Sequence, residues 1–182
     1  MRKLITSINI TLDGFCDHEA GIVDEELHEK VNELFKEVDT VIFGRVTYQL
    51  MEEGWPPVVK NPTGIKSVDE FAVLIDQVQK VVFSHTLKQV SWNNTRLAEG
   101  DLIEEVKKLK QQPGKNMLAG GPSIINTLMV AGLIDEYYLW VHPIVLGSGL
   151  PLFKNIPERI NLKLIDTITL GSGVVILHYK PL

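Results

Sequence analysis

Two short stretches of this 182-residue chain gather residue types able to hold a phosphorylated ligand. Val41-Ile42-Phe43 runs into Gly44, Arg45 and Thr47, and Met117-Leu118-Ala119 runs into Gly120, Gly121, Pro122 and Ser123. In each, a short apolar run reads as a buried strand, glycine follows, and a helical pattern begins at once. A helix N-terminus carries unpaired N–H groups and partial positive charge, and glycine lets an anion reach the main chain with no Cβ in the way. Arg45 would add a fixed cation and Thr47 a hydroxyl donor, while Gly120 and Gly121 would offer bare backbone. In an open α/β sheet such junctions lie at the carboxyl ends of parallel strands, so both could face one crevice and grip a single dinucleotide. The same glycines serve equally well as plain tight turns.

Other chemistries fail on spacing. His18, His28, His85, His142 and His178 form no H-x-x-x-H pair, Cys16 is the single cysteine, and neither a G-x-S-x-G nor a Walker A segment occurs. No metal site is expected. Gly147-Ser148-Gly149 and Gly171-Ser172-Gly173 lack the third glycine of the usual dinucleotide fingerprint. Cys16 has no visible base partner and reads as a loop residue, and Trp92, Trp140 and His142 read as structural. With 18 Lys and Arg against 23 Asp and Glu, the net charge of −5 lacks the positive field on which nucleic-acid binding draws. No signal peptide is evident, and no apolar run approaches the roughly 18 residues of a bilayer span. The expectation is a soluble, cytoplasmic protein with neither a nucleic-acid nor a membrane partner.

The elements that must position these groups follow from periodicity. Residues 2–11 read as a strand ended by Asp13-Gly14, and 24–37 as an amphipathic helix with Asp24, Glu25 and Glu26 in its first turn. The strand at 41–43 feeds a helix from Arg45 to Met51, and 54–66, with Gly54, Pro56, Pro57, Pro62 and Gly64, reads as an exposed loop that carries Trp55. Trp55 itself reads as a packing residue as much as a group that this loop could close over a ligand. A helix at 68–77, strands at 80–84 and 95–98, and a charged helix at 101–110 come next. The strand at 117–119 leads into a helix opened by Pro122 and closed by Gly132. The last third holds a long strand at 136–146 and a hairpin of 161–170 with 174–180. One domain spanning 1–182 is expected, of α/β class: a mixed, mostly parallel sheet flanked by helices, with a C-terminal antiparallel hairpin. The long strand and hairpin also offer apolar edges that a second copy could cover.

Residues 7–15 (SINITLDGF), 41–48 (VIFGRVTY), 119–123 (AGGPS) and 133–149 (LIDEYYLWVHPIVLGSG) occur in an order and spacing that resemble the dihydrofolate-reductase-like family. The branch is that of the C-terminal reductase domain of bacterial RibD. The resemblance implies NADPH as hydride donor and a small heterocyclic substrate: a pteridine, dihydrofolate or a ribosylaminopyrimidine of the riboflavin pathway. A nucleotide-binding module of the same fold without turnover is the alternative, and pairing into homodimers is implied either way. It places cofactor contacts on Gly44, Arg45 and Thr47, a pyrophosphate turn on Gly120, Gly121, Pro122 and Ser123, and the 2′-phosphate near Ser84. There the family often has Ser-Arg, where this chain has His85. It places the catalytic acid at Asp24 or Glu25, although Asp24 reads equally as a helix N-cap. Asp13 and Gly14 fall at the loop beside the nicotinamide, or in a plain turn. Ala119 stands where these reductases commonly have glutamate, and Ile22-Val23 where folate enzymes have Pro-Trp.

Overall fold

Apolar residues on neighbouring positions of one strand point to opposite sides of a sheet, and here both sides are covered. The computed structural model describes residues 1–182. Its elements run β1 (Leu4–Thr11), α1 (Glu25–Phe35), β2 (Val38–Gly44), α2 (Arg45–Lys60), α3 (Lys66–Gln77), β3 (Gln79–Phe83) and β4 (Thr95–Leu97). They continue as α4 (Leu102–Gln111), β5 (Asn116–Gly120), α5 (Pro122–Val130), β6 (Glu136–His142), β7 (Leu162–Thr169) and β8 (Val175–Pro181). Val41, Phe43, Val82 and Leu118 face one side and meet Phe35, Tyr48, Phe71 and Ile75 of α1, α2 and α3. Ile42, Val81, Met117 and Ala119 face the other and meet Val106, Leu109, Ile124, Ile125 and Leu128 of α4 and α5.

The sheet has the order β4-β3-β2-β5-β1-β6-β8-β7. The six strands from β4 to β6 are parallel, whereas β8 runs antiparallel to both β6 and β7. The anticipated class, a mostly parallel sheet with helices on both sides and an antiparallel C-terminal pair, is the one observed. The chain crosses to one side of β5 after β1 and to the other after β5, which makes the carboxyl ends of these central strands the switch point where open α/β sheets take ligands.

Most boundaries fall within two residues of the pattern-based ones, and two differ in substance. The region 54–60 is helix: α2 continues through Pro56 and Pro57 to Lys60. Proline lacks the N–H that closes a helical turn, so these two positions forfeit bonds. The Trp55 ring, edge-on to Phe71 with centroids 4.5 Å apart, supplies packing against α3 that overrides this local preference. The long strand ends at His142 instead of Leu146, because Pro143 cannot donate to the ladder and the chain turns, Ile144 N donating to His142 O at 2.8 Å.

Candidate functional site

Strand register carries the polar groups at the carboxyl edge into a row. Phe43 pairs with Gly120, Gly44 with Phe83, and Val82 with Leu97, so the segments leaving β5, β2, β3 and β4 emerge side by side. Between them opens a cleft of about 760 Å³ lined by Gly44, Arg45, Thr47, Ser84, His85 and Ser123. Of the residues singled out as cofactor contacts, these six meet in one place. Gly120 and Gly121 lie directly behind them, and Pro122 is the first residue of α5. Gly100 and Asp101, which no motif marked, complete the wall below β4.

The two glycine junctions differ in kind. Gly121, the N-cap of α5, has φ +91°, and a Cβ there would collide with Thr47 Oγ1, so backbone and packing both demand glycine. Gly44, the N-cap of α2, sits at φ −81°, open to any residue, and a Cβ there would stand in ordinary contact, 3.4 Å from Ile124 Cγ1. Neither the chain's conformation nor its packing requires glycine at position 44. What an added methyl would fill is the cleft mouth. Both helices also start without a side-chain cap, which leaves the N–H groups of their first turns unpaired by side chains at the cleft.

The far wall is held by contacts distant in sequence. Tyr48, buried on α2, accepts hydrogen bonds from Ser91 N and Trp92 N at 3.2 and 3.3 Å and donates to Glu52, which fastens the segment after β3 to α2. Ser84 Oγ accepts from Thr86 N at 3.1 Å and Leu87 N at 2.9 Å. Both lone pairs are thereby engaged, and its proton is left for an acceptor in the cleft or for Thr86 Oγ1 at 3.4 Å. The Arg45 guanidinium gives one nitrogen to Gln49 Oε1 at 3.0 Å and is otherwise free. The His85 ring makes no hydrogen bond within the protein and is exposed.

The remaining candidates lie elsewhere. None of Asp13, Gly14, Asp24, Glu25 and Trp55 lines this cleft. Asp13 accepts from Thr11 Oγ1 at 2.6 Å and from Gly147 N at 2.7 Å, and those bonds hold its carboxyl down at about 2. Gly14, at φ +85°, turns this loop so that it zips onto residues 144–152: Leu12 N donates to Ile144 O, Cys16 N to Leu150 O and Leu152 N to Gly14 O. Burial pushes the Cys16 thiol up to about 12, which removes it as a nucleophile. Asp24 is the N-cap of α1, its carboxylate accepting from Leu27 N at 2.8 Å. Glu25 is exposed in the first turn and its carboxylate makes no hydrogen bond to the protein. Trp55 belongs to α2 and packs against Phe71 and His28, so it is no part of a lid.

A buried histidine organises this second region. His142, 1% exposed, accepts from Ile22 N at its Nδ1 (2.9 Å) and faces Asn9 Oδ1 with Nε2 (3.0 Å). An acceptor Nδ1 requires the neutral tautomer with Nε2–H, which donates to Asn9. Burial lowers the His142 pKa, partly opposed by the Asp24 carboxylate. The ring thus pins residues 20–23 across the ends of β1 and β6, and a Cβ on Gly21 would stand 3.3 Å from its Cε1. Ahead of Pro143 the residue reads from sequence as structural; its partners, 120 and 133 positions away, carry no local signal.

Fold and cleft together define an open-sheet α/β protein of dihydrofolate-reductase-like architecture. The chain belongs to the RibD C-terminal domain family, which matches residues 2–176. It is 36% identical over 182 residues to YyaP of Bacillus subtilis (strain 168), described as uncharacterized, covering 98% of this chain and 94% of that one. YwjB of the same organism, likewise uncharacterized, is 32% identical over 185 residues, covering 98% and 97%. Among solved structures, a putative riboflavin biosynthesis protein from Shewanella sp. PV-4 superposes with TM-score 0.74 at 21% identity, covering 100% of this chain and 99% of that one. A dihydrofolate reductase from Enterococcus faecalis complexed with NADP(H) gives TM-score 0.63 at 14% identity, covering 98% and 96%. At these identities the structural matches establish the shared fold. No helix is long and apolar enough to cross a membrane.

Proposed function

We propose that this protein is an NADPH-using reductase of a flat nitrogen heterocycle, of the pteridine, dihydrofolate or ribosylaminopyrimidine type. One observation carries the reading: two helix N-termini without side-chain caps open from neighbouring strands into one cleft that also holds Arg45. That arrangement suits a pyrophosphate, and the room kept at Gly44 suits a ligand lying against the main chain. The N–H groups of α2 and α5 would bind the pyrophosphate, with Thr47 and Ser123 as hydroxyl donors and Arg45 as the charge-assisted contact. When bound, the nicotinamide supplies a hydride to an electrophilic ring carbon. Of the two candidate acids, Asp24 is committed to its cap, so Glu25 or an ordered water would deliver the accompanying proton. The ends of β1 and β6, with the segment pinned by His142, would form the substrate side.

Titration of NADPH by fluorescence tests this directly. Binding below millimolar that weakens in Arg45→Ala supports the reading; equal behaviour of parent and variant defeats it. A second reading, a nucleotide-binding module without turnover, draws support from the engagement of Asp13 and Asp24 in purely structural bonds. Tight NADPH binding with no oxidation across pterins, dihydrofolate and ribosylaminopyrimidines would favour it. As partner we propose a second copy, because the edge strand β7 leaves Leu164 48%, Ile165 44% and Ile168 37% exposed, an unprotected edge of the kind other chains cover. Sedimentation as a monomer at micromolar concentration would remove that proposal.

A further inference from the structure

Asn9 breaks the burial of the central strand. β1 lies between β5 and β6 in a sheet with helices on both sides, yet of its eight residues Asn9 alone is exposed. Ile5 of the same strand belongs to the core shared with α1, α2 and α3, so Ser7 and Asn9, two and four positions on, face that side as well. The sheet is bare there. Thr6 pairs with Ala119, and the next position on each strand sets Ser7 beside Gly120, which has no side chain to cover it.

Both polar side chains on this bare stretch are fixed in orientation from behind. His142, 1% exposed, accepts from Ile22 N at Nδ1 and therefore donates from Nε2 to Asn9 Oδ1 at 3.0 Å. The Asn9 amide is thereby turned with its NH₂ outward, and neither of those hydrogens has a protein partner. Trp140, also buried, donates from its indole Nε1 to Ser7 Oγ at 2.8 Å, which leaves the Ser7 proton to be given away. Each chain of bonds starts at a group that can only donate, a backbone N–H or an indole N–H, so its direction cannot reverse. Asn9 can thus meet only acceptors, and Ser7 can match it. An amino group brought to Asn9 would set donor against donor and leave both unpaired.

Resting on the reductase reading, we infer that Asn9 selects the substrate by hydrogen-bond polarity, with Ser7 as a second donor and His142 as the positioning residue behind Asn9. The heterocycle taken here turns an acceptor edge toward β1, a ring carbonyl or an unprotonated ring nitrogen, and one that presents an amino group there is rejected.

The experiment is equilibrium titration of the full chain, saturated with NADP⁺ so that no turnover intrudes, with pteridine-2,4-dione and pteridine-2,4-diamine, two probes of one shape and opposite edge polarity. The parent should bind the dione roughly tenfold or more tightly than the diamine. Asn9→Asp keeps the acceptor for His142 and replaces the outward NH₂ by oxygen, so the preference should invert. His142→Gln can still donate to Asn9 and should keep the preference, whereas His142→Leu frees the amide to turn and should bring the ratio of the two affinities toward one. A merely structural loss weakens both probes alike and leaves that ratio unmoved. Ser7→Ala should lose roughly threefold to tenfold on the dione. Equal affinities in the parent, binding of neither probe, or a ratio that Asn9→Asp leaves unchanged overturns this inference, and NADP⁺ binding then keeps the reductase reading standing. Failure of the parent to bind NADP⁺ brings down both.

Discussion

The carboxyl edge of the sheet has two halves built on opposite plans. From β4 to β5 the polar groups largely stand free: Arg45, His85 and one oxygen of Asp101 face a cleft, and two helices begin without side-chain caps. From β1 to β6 they are spent on one another: Asp13 on Gly147, Asp24 on Leu27, His142 on Ile22 and Asn9. A buried group such as His142 must find partners, and the exposed Asp13 and half-buried Asp24 are spent on loop and cap N–H groups, whereas the cleft keeps donors in reserve for a ligand. A binding half and a scaffolding half thus share one edge, and substitutions separate them.

The largest contrast lies within the binding half itself. Gly121→Ala forces a positive φ on alanine and drives a methyl into Thr47, which should destabilise the protein by about 3 kcal/mol or more in a thermal or urea melt. Gly44→Ala should melt close to the parent yet bind NADPH more weakly. A parent-like melt for Gly121→Ala would erase the distinction between the two junctions. Next in size, Arg45→Ala should lose roughly tenfold to a hundredfold in NADPH affinity, about 1.5–3 kcal/mol, at unchanged melting temperature.

In the scaffolding half, Asp24→Ala should cost about 1 kcal/mol through loss of the α1 cap, and Asp24→Asn should restore most of it. Turnover that survives in the Asn variant confirms the cap as this residue's work; turnover abolished there, with stability kept, would move Asp24 to the chemistry. The smallest effects are in pH. His142 has its pKa lowered in the folded state, so the unfolded chain takes up its proton first, and this contribution is present above about pH 6.5 and fades below it. Asp13, held at about 2, contributes above the ordinary carboxylate range and is lost only as pH falls through about 4 to 2. Melting temperature against pH should show the first step disappear in His142→Gln and the second in Asp13→Asn.

The sequence by itself determined what is local. Alternating apolar strands and spaced apolar helix faces are signals contained in a dozen residues, and they gave the order of elements and their mostly parallel arrangement. The strand–glycine–helix junctions at Gly44 and Gly121 were equally readable, since their signature occupies consecutive positions. Tertiary structure decided the rest. It kept α2 helical through Pro56 and Pro57, with Trp55 packed edge-on to Phe71 of α3, and it removed Trp55 from any lid. It gave the glycines their separate reasons, since only φ and the neighbouring atoms distinguish a residue that must be glycine from one that merely leaves space. It also brought Asp101 and His85 to the same cleft and joined His142 to Ile22 across 120 residues, arrangements fixed by strand order and register, which leave no trace in the sequence near either partner.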